Sequence, residues 1–284
     1  MKLLVLLVVL AYSVTARIID EKCDGIIVHN INHIKEVLKD NIDSPYQLAI
    51  DYDTNMLFFS YSSYDNVSKF ISAYINLKTN EFQIIDGVNG GFANGVDGRS
   101  NTVYIGGNDG LYKFDFESKR AQHIDGTAHN IWQIFFKNDL YYTNYPLENV
   151  YVYKDGKSQR VPELLQTKAM LVAIDNNDNI YYSNSSGLFV HKKAKNYVTF
   201  LGDYNLNGIT SDITGNLFFS TPDGIYFIDD KSKKIEKLAT IPNIYGMAVE
   251  SDGNIIYASQ DSLVRLKPTK THCFVNEKPE VEVF

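Results

Sequence analysis

Cysteine is nearly absent from this 284-residue chain, which has only Cys23 and Cys273. Two thiols so far apart, with no second Cys at short spacing from either, do not make a structural zinc site. Tryptophan is scarcer still, with Trp132 alone. The histidines His29, His33, His123, His129, His191 and His272 are scattered, without the His-Glu-x-x-His spacing of zinc peptidases, and no Gly-x-Ser-x-Gly elbow occurs. Basic residues are also short: 27 Lys and Arg stand against 34 Asp and Glu, a net charge of −7. Nucleic acid and anionic lipid reward clustered cations, so neither is an expected partner. Nowhere does an apolar run approach the roughly 20 residues that cross a bilayer.

The one marked apolar run lies at the start. Lys2 supplies a positive n-region, Leu3 to Leu10 is unbroken, and Val14-Thr15-Ala16 ends in small residues suited to cleavage. This pattern predicts a signal peptide over residues 1–16 and a single mature domain over 17–284, secreted to the extracellular space. An oxidising compartment then favours a Cys23 to Cys273 disulfide. Asn66-Val67-Ser68 and Asn184-Ser185-Ser186 fit the glycosylation acceptor pattern, which makes Asn66 and Asn184 candidate sites.

Aromatics are abundant, with 20 Tyr and 16 Phe, and they favour strands. They also recur. Leu57-Phe58-Phe59, Val103-Tyr104-Ile105, Leu140-Tyr141-Tyr142, Ile180-Tyr181-Tyr182, Leu217-Phe218-Phe219 and Ile255-Ile256-Tyr257 follow turns rich in Asn, Asp or Gly, at a period of roughly forty residues. Around each triplet lie a preceding apolar strand, a third strand after a turn such as Asp223-Gly224, and a more polar fourth strand such as Ala121 to Ile124 or Ile235 to Leu238. The turns come too often for the i, i+3, i+4, i+7 stripes of a helical solenoid. An all-β, six-bladed β-propeller of four-stranded antiparallel blades is expected.

The termini complement each other. Gly25 to Val28 and Ile34 to Leu38 read as the back of a blade without a front, whereas Gly246 to Leu266 reads as a front without a clear outer strand. Pairing them closes the ring and removes an exposed edge. A Cys23 to Cys273 bridge would lock that closure and stabilise it by about a few kcal/mol.

In such a ring the starts of the innermost strands surround one mouth of the central channel. Tyr46, Phe92, Asn94, Trp132, Gln133, Met170, Asn207 and Tyr245 fall there, from all six expected blades. Flat rings with a few fixed amides suit a planar conjugated ligand, so Tyr46, Phe92, Asn94, Trp132, Gln133, Asn207 and Tyr245 are the candidate ligand-binding residues. Any one of these rings is equally at home as packing of the barrel core.

Asn94-Gly95-Val96-Asp97 and Asn207-Gly208-Ile209-Thr210-Ser211-Asp212 resemble strand starts of the gluconolactonase, regucalcin and strictosidine synthase-like propellers. That resemblance implies a divalent cation in the channel on Asn, Glu and Asp oxygens, and hence, as an alternative function, a metal-dependent lactonase-like hydrolase. The matching positions here offer Gln47, Met170 and Leu171 in place of carboxylates, a poor set for a hard cation. Asp97 and Asp212 are expected to serve turns. No catalytic residue, metal or other cofactor is assigned.

Over its full length, from Arg17-Ile18-Ile19-Asp20-Glu21-Lys22-Cys23 through the Tyr-rich blades to the tail from Cys273 to Phe284, the sequence resembles the ommochrome-binding proteins of moth haemolymph. The resemblance implies a secreted, monomeric carrier and not an enzyme, its bound ligand an ommochrome of the xanthommatin type derived from tryptophan.

Overall fold

The computed structural model describes residues 23–63, 66–229 and 234–273, with the side chains of 66–69 left out. The expected signal peptide and mature start, the Asn66 side chain and the tail after Cys273 lie outside the described residues. Six antiparallel sheets make up the described chain. Blade 1 comprises Asp43–Asp51, Met56–Ser63, Asn66–Asn76 and Phe82–Ile84. Blade 2 comprises Ala93–Asp97, Thr102–Gly106, Leu111–Asp115 and Arg120–His123, and blade 3 Ile131–Lys137, Asp139–Asn144, Val150–Lys154 and Lys157–Arg160. Blade 4 is Leu171–Ile174, Ile180–Asn184, Gly187–Lys192 and Tyr197–Gly202, and blade 5 Gly208–Ser211, Leu217–Thr221, Gly224–Asp229 and Lys234–Thr240. The architecture is the six-bladed propeller that the repeats predict.

The triplets sit on the second strand of each blade, and their uninterrupted apolar character has a direct cause. Blades stack face to face, so a second strand is covered on both sides and gains nothing from polar alternation. Leu57, Phe58 and Phe59 are each fully buried, and so are Val103 and Ile105 in blade 2. The clusters they join run between neighbouring blades, such as Leu57, Phe59 and Ile75 of blade 1 with Ala248 and Ile256 of the last. Carboxylates fix the turns between first and second strands. Asp97 accepts from the Arg99 amide at 3.0 Å and the Ser100 hydroxyl at 2.7 Å, while Asp212 accepts from the amides of Thr214 and Asn216, both at 2.9 Å. Asp51 and Asp175 repeat the device in blades 1 and 4.

Ring closure follows the expected pairing. Gly246–Val249, Ile255–Ala258 and Ser262–His272 form the inner part of blade 6; Ile31–Asp40 pairs antiparallel with Ser262–His272, and Ile26–Val28 adds a fifth strand. The Cys23–Cys273 disulfide closes the seam with 6.0 Å between Cα atoms, and the Cys273 amide donates to the Asn30 carbonyl at 2.7 Å. Constraining so long a loop restricts the unfolded chain. Cys23→Ser is therefore expected to cost about 2–4 kcal/mol, read as a lower midpoint in urea with little change in slope. An unchanged midpoint would show that hydrogen bonding alone holds the seam.

A second clasp was not legible in the sequence. Arg265 is 7% exposed in the third strand of blade 6. Its guanidinium forks onto Glu250 at 2.6 and 2.8 Å, donates to Glu36 of the N-terminal strand at 2.9 Å and reaches the Leu77 carbonyl of blade 1 at 2.9 Å. One side chain thus binds the N-terminal strand, the last blade and the first.

Candidate functional site: an aromatic channel mouth

The innermost strands pack against their neighbours around the ring. Glycine makes the tight approach possible at Gly95, where a Cβ would lie 2.3 Å from the Ile134 side chain of blade 3. The cavity they enclose, about 110 Å3, is lined by the inner strands of blades 1, 2, 3, 5 and 6. Blade 4 is the exception to the expected all-blade lining. Its inner strand Leu171–Ile174 is wholly buried in an inter-blade cluster, and the Met170 side chain is 36% exposed.

At the end where the inner strands begin, aromatic rings from four blades meet. Tyr46 lies 5.4 Å from both Phe92 and Tyr245, edge-on to the latter, and Phe92 stacks on Trp132 with centroids 4.4 Å apart and planes at 28°. Two further rings join them. Phe70 is 4.4 Å from Phe92 and Tyr145 is 5.1 Å from Trp132. The arc therefore runs Tyr245, Tyr46, Phe92, Trp132, Tyr145. Phe92 is buried, Tyr46, Trp132 and Tyr245 are half-buried, and Tyr145 is 49% exposed. Burial raises the Tyr46 phenol above its ordinary pKa, so it is a neutral hydroxyl near pH 7.

Local backbone irregularities aim these rings. The ladder of blade 1 shifts register between Tyr46 and Ala49, and that of blade 3 between Ile131 and Gln133, on either side of Trp132. Gln47 adopts a left-handed φ of 51°, a conformation that costs a residue with a Cβ about 1–3 kcal/mol and is held only by its surroundings. A bulge redirects a side chain that regular pleating would place elsewhere. Phe70 and Tyr145 carried no comparable sequence signal, since one sits on a third strand and the other in a turn.

The three candidate amides all bridge blades. Asn94 is 3% exposed and its Nδ2 donates to the Gln47 carbonyl at 3.1 Å. Asn207 Nδ2 donates to the Ile244 carbonyl. Gln133, 2% exposed, is bound at both ends: Nε2 donates to the carbonyls of Val172 and Ile134, and Oε1 accepts from the Val172 amide at 3.1 Å. Its amide thereby holds blade 3 to blade 4 and has no free donor direction toward the mouth. Hydroxyls on second strands do similar work, Ser60 donating to the Phe92 carbonyl at 2.5 Å and Thr143 to that of Met170 at 2.8 Å.

A lactonase-type channel cation would need carboxylate oxygens at this level. The wall there presents Gln47, Leu48, Asn94, Gly208, Gly246 and Met247, while Asp97 and Asp212 lie at the opposite end of the inner strands and are engaged in turns. These residues do not fit a hard divalent ion. Among the described residues no three His, Cys, Asp or Glu side chains come together as a metal site. His129, which burial holds below its ordinary pKa, has Nδ1 2.9 Å from the Tyr142 hydroxyl and packs on Tyr151. The far mouth is a wider funnel of about 400 Å3 with Ile50, Val96, Phe136 and Ile213 on its walls, where Arg99 stands 5.3 Å over the Phe136 ring and donates to the Asn138 carbonyl at 2.6 Å. The walls of this funnel carry none of the candidate rings, which gather at the other end of the channel.

No family model matches the sequence. The ommochrome-binding protein of Manduca sexta is 39% identical over 251 residues, covering 86% of this chain and 91% of that protein. Among solved structures, a gluconolactonase from Xanthomonas campestris superposes with a TM-score of 0.69 at 14% identity, over 87% of this chain and 96% of its own. A luciferin-regenerating enzyme gives 0.62 at 12% identity, over 86% and 98%. At such identities these two likenesses establish the shared propeller and nothing about chemistry.

Proposed function

This chain belongs to the family of the ommochrome-binding protein, and from that premise we propose that it is a secreted carrier of a planar aromatic pigment of the ommochrome type, without enzymatic activity. The observation that carries the reading is the arc of Tyr245, Tyr46, Phe92, Trp132 and Tyr145 at the channel mouth. Stacked and edge-on rings offer a fused ring system a large contact area at little cost in side-chain entropy. The cavity beneath them, about 110 Å3, is well below the several hundred Å3 of a pocket that swallows a drug-sized ligand. The fused ring therefore rests on the arc, and only its edge enters the channel.

The N-terminal leader and the Cys23–Cys273 bridge support secretion, and among the described residues no helix is long and apolar enough to cross a membrane. Asn184, the candidate glycosylation site, ends the second strand of blade 4 and is part-exposed beside the hairpin turn. The carrier acts as a monomer, and the pigment is its ligand and not a catalytic cofactor.

Trp132 is the chain's one tryptophan, so intrinsic indole fluorescence reports on this mouth directly. Titration with xanthommatin is expected to quench it saturably. Ile213→Asp, in the opposite funnel, is expected to leave that titration unchanged; a loss of binding in this variant would move the site to the far mouth. The lactonase alternative makes the contrary forecast that hydrolysis of a sugar lactone rises with added calcium and vanishes with chelator. For the carrier, neither hydrolysis nor any effect of chelator on pigment binding is expected.

A further inference from the structure

Pigment resting on the ring arc leaves the far end of the channel free. The funnel there, about 400 Å3, has the size of a pocket that encloses a small organic molecule. It runs on into the channel cavity, since Ile50, Tyr52, Val96, Phe136 and Ser211 line both. Its walls are apolar, and Ile213 stands 56% exposed on them. The rim is charged. The carboxylates of Asp51, Asp97 and Asp212 are spent on amides and hydroxyls of their own turns, whereas Asp53 is exposed. Arg99 and Lys137 have donors to spare. Arg99 sets Nε on Asp97 and Nη2 on the Asn138 carbonyl, and its Nη1 has no hydrogen-bond partner among the described residues. The Lys137 ammonium reaches from blade 3 to donate to Asn176 Oδ1 of blade 4, and it lies so near blade 5 that a Cβ on Gly215 would be 2.9 Å from it.

We infer that this funnel is a second binding site, for a neutral lipophilic molecule headed by a carbonyl, such as a long-chain ester. The apolar body enters past Ile50, Val96 and Phe136, and the carbonyl oxygen at the rim accepts from the free donors of Lys137 and Arg99. Three exclusions fix the head. An anionic head would meet the field of four aspartates with only two cations to offset it. A cationic head would face the donors of Lys137 and Arg99, and Arg99 already holds the seat over the Phe136 ring, 5.3 Å from its centre. A bare hydrocarbon would take water from those donors and return nothing. A neutral acceptor escapes all three. The site lies at the opposite end of the channel from the arc, so it stands apart from the pigment reading.

The test follows the neutral fluorescent probe N-phenylnaphthylamine on the wild-type protein and its displacement by three compounds of one chain length: methyl decanoate, decanoic acid and decylamine. The ester is expected to displace the probe at about a tenfold lower concentration than either charged compound, the worth of one hydrogen bond from a charged donor. Ile213→Asp puts a charge at an exposed position of the wall and is expected to weaken ester binding about tenfold. Arg99→Met combined with Lys137→Met removes the donors and keeps the aspartates, so decylamine is expected to displace best from that protein. Xanthommatin, followed at Trp132, is expected to bind equally well with and without saturating ester. Failure of the folded wild-type protein to bind probe or ester, acid or amine bound as tightly as the ester, or an ester preference that survives in Ile213→Asp or in the double variant overturns the inference and leaves the pigment carrier standing. Competition between ester and pigment also overturns it, by placing both in one site.

Discussion

Trp132→Ala is expected to weaken pigment binding about 10- to 100-fold, the effect of removing one large ring from a stacked contact. Trp132 is half-buried at a bulge of the blade 3 inner strand, with Phe92 at 4.4 Å and Tyr145 at 5.1 Å. It is the link between Phe92 and Tyr145, and removing it separates Tyr145 from the other rings. The variant lacks the fluorescent reporter, so the measurement is the shift and intensity of the pigment's visible band on titration. Trp132→Phe keeps a flat ring and should retain most of the affinity. If alanine binds as tightly as wild type, the arc is packing and not a platform, and the function assigned to this mouth fails.

Arg265→Ala is expected to destabilise the fold by about 3 kcal/mol, the lower end of the cost of breaking a buried pair, because Glu250 and Glu36 are only part-buried and Glu36 keeps Lys267. Glu250 is the more buried of the two acids and is gripped by two hydrogen bonds. Equilibrium unfolding in urea measures the loss, and wild-type stability in the variant would show the clasp to be ornamental. Acid should expose the same device. The hydrogen bond from Lys267, with those from Arg265 and the two positive charges, holds Glu36 below the ordinary glutamate range. A carboxylate whose folded pKa is depressed contributes stability above its unfolded pKa and loses it as pH falls through the folded value. Stability of the wild-type protein should therefore fall below about pH 4.5. Arg265→Ala should flatten the part of that fall that belongs to Glu36, leaving the contribution of Lys267.

Different physical signals account for what could and could not be read in advance. Leu217-Phe218-Phe219 and its five counterparts announced second strands because burial on two faces leaves a run of apolar residues that no loop or amphipathic helix shows. Cys23, Cys273 and the half-blades at each end announced the closed seam for a simple reason: an unpaired front and an unpaired back have one economical solution. Asp97 and Asp212 were legible as turn residues because an Asx turn is built from near neighbours. The mouth was legible in part. Phe92 and Tyr245 immediately precede inner strands, Trp132 and Tyr46 lie in the first half of theirs, and the four do converge. Phe70 and Tyr145 lie elsewhere in their blades, and only the packing of blades 1, 2 and 3 brings them to the same arc.

Arg265 shows the limit most clearly. In sequence it is one basic residue in an alternating strand, yet its partners Glu36 and Leu77 lie far away along the chain and meet it only once the ring has closed. Gln133 shows it from the other side: an amide at a strand start reads as a ligand contact, and the fold engages it between Val172 and Ile134.

The sequence by itself determined the all-β repeat, the six blades and the paired termini. Those depend on periodic burial and local turn chemistry, which every repeat writes out again. Tertiary structure alone decided which amides were already satisfied, which ring faced which, that blade 4 adds no residue to the cavity wall, and that the Asn94 oxygen was left without a donor. Each of these is a relation between neighbouring blades some forty residues apart or more, set by bulges and left-handed residues at single positions, and a one-residue shift in register would have reversed it.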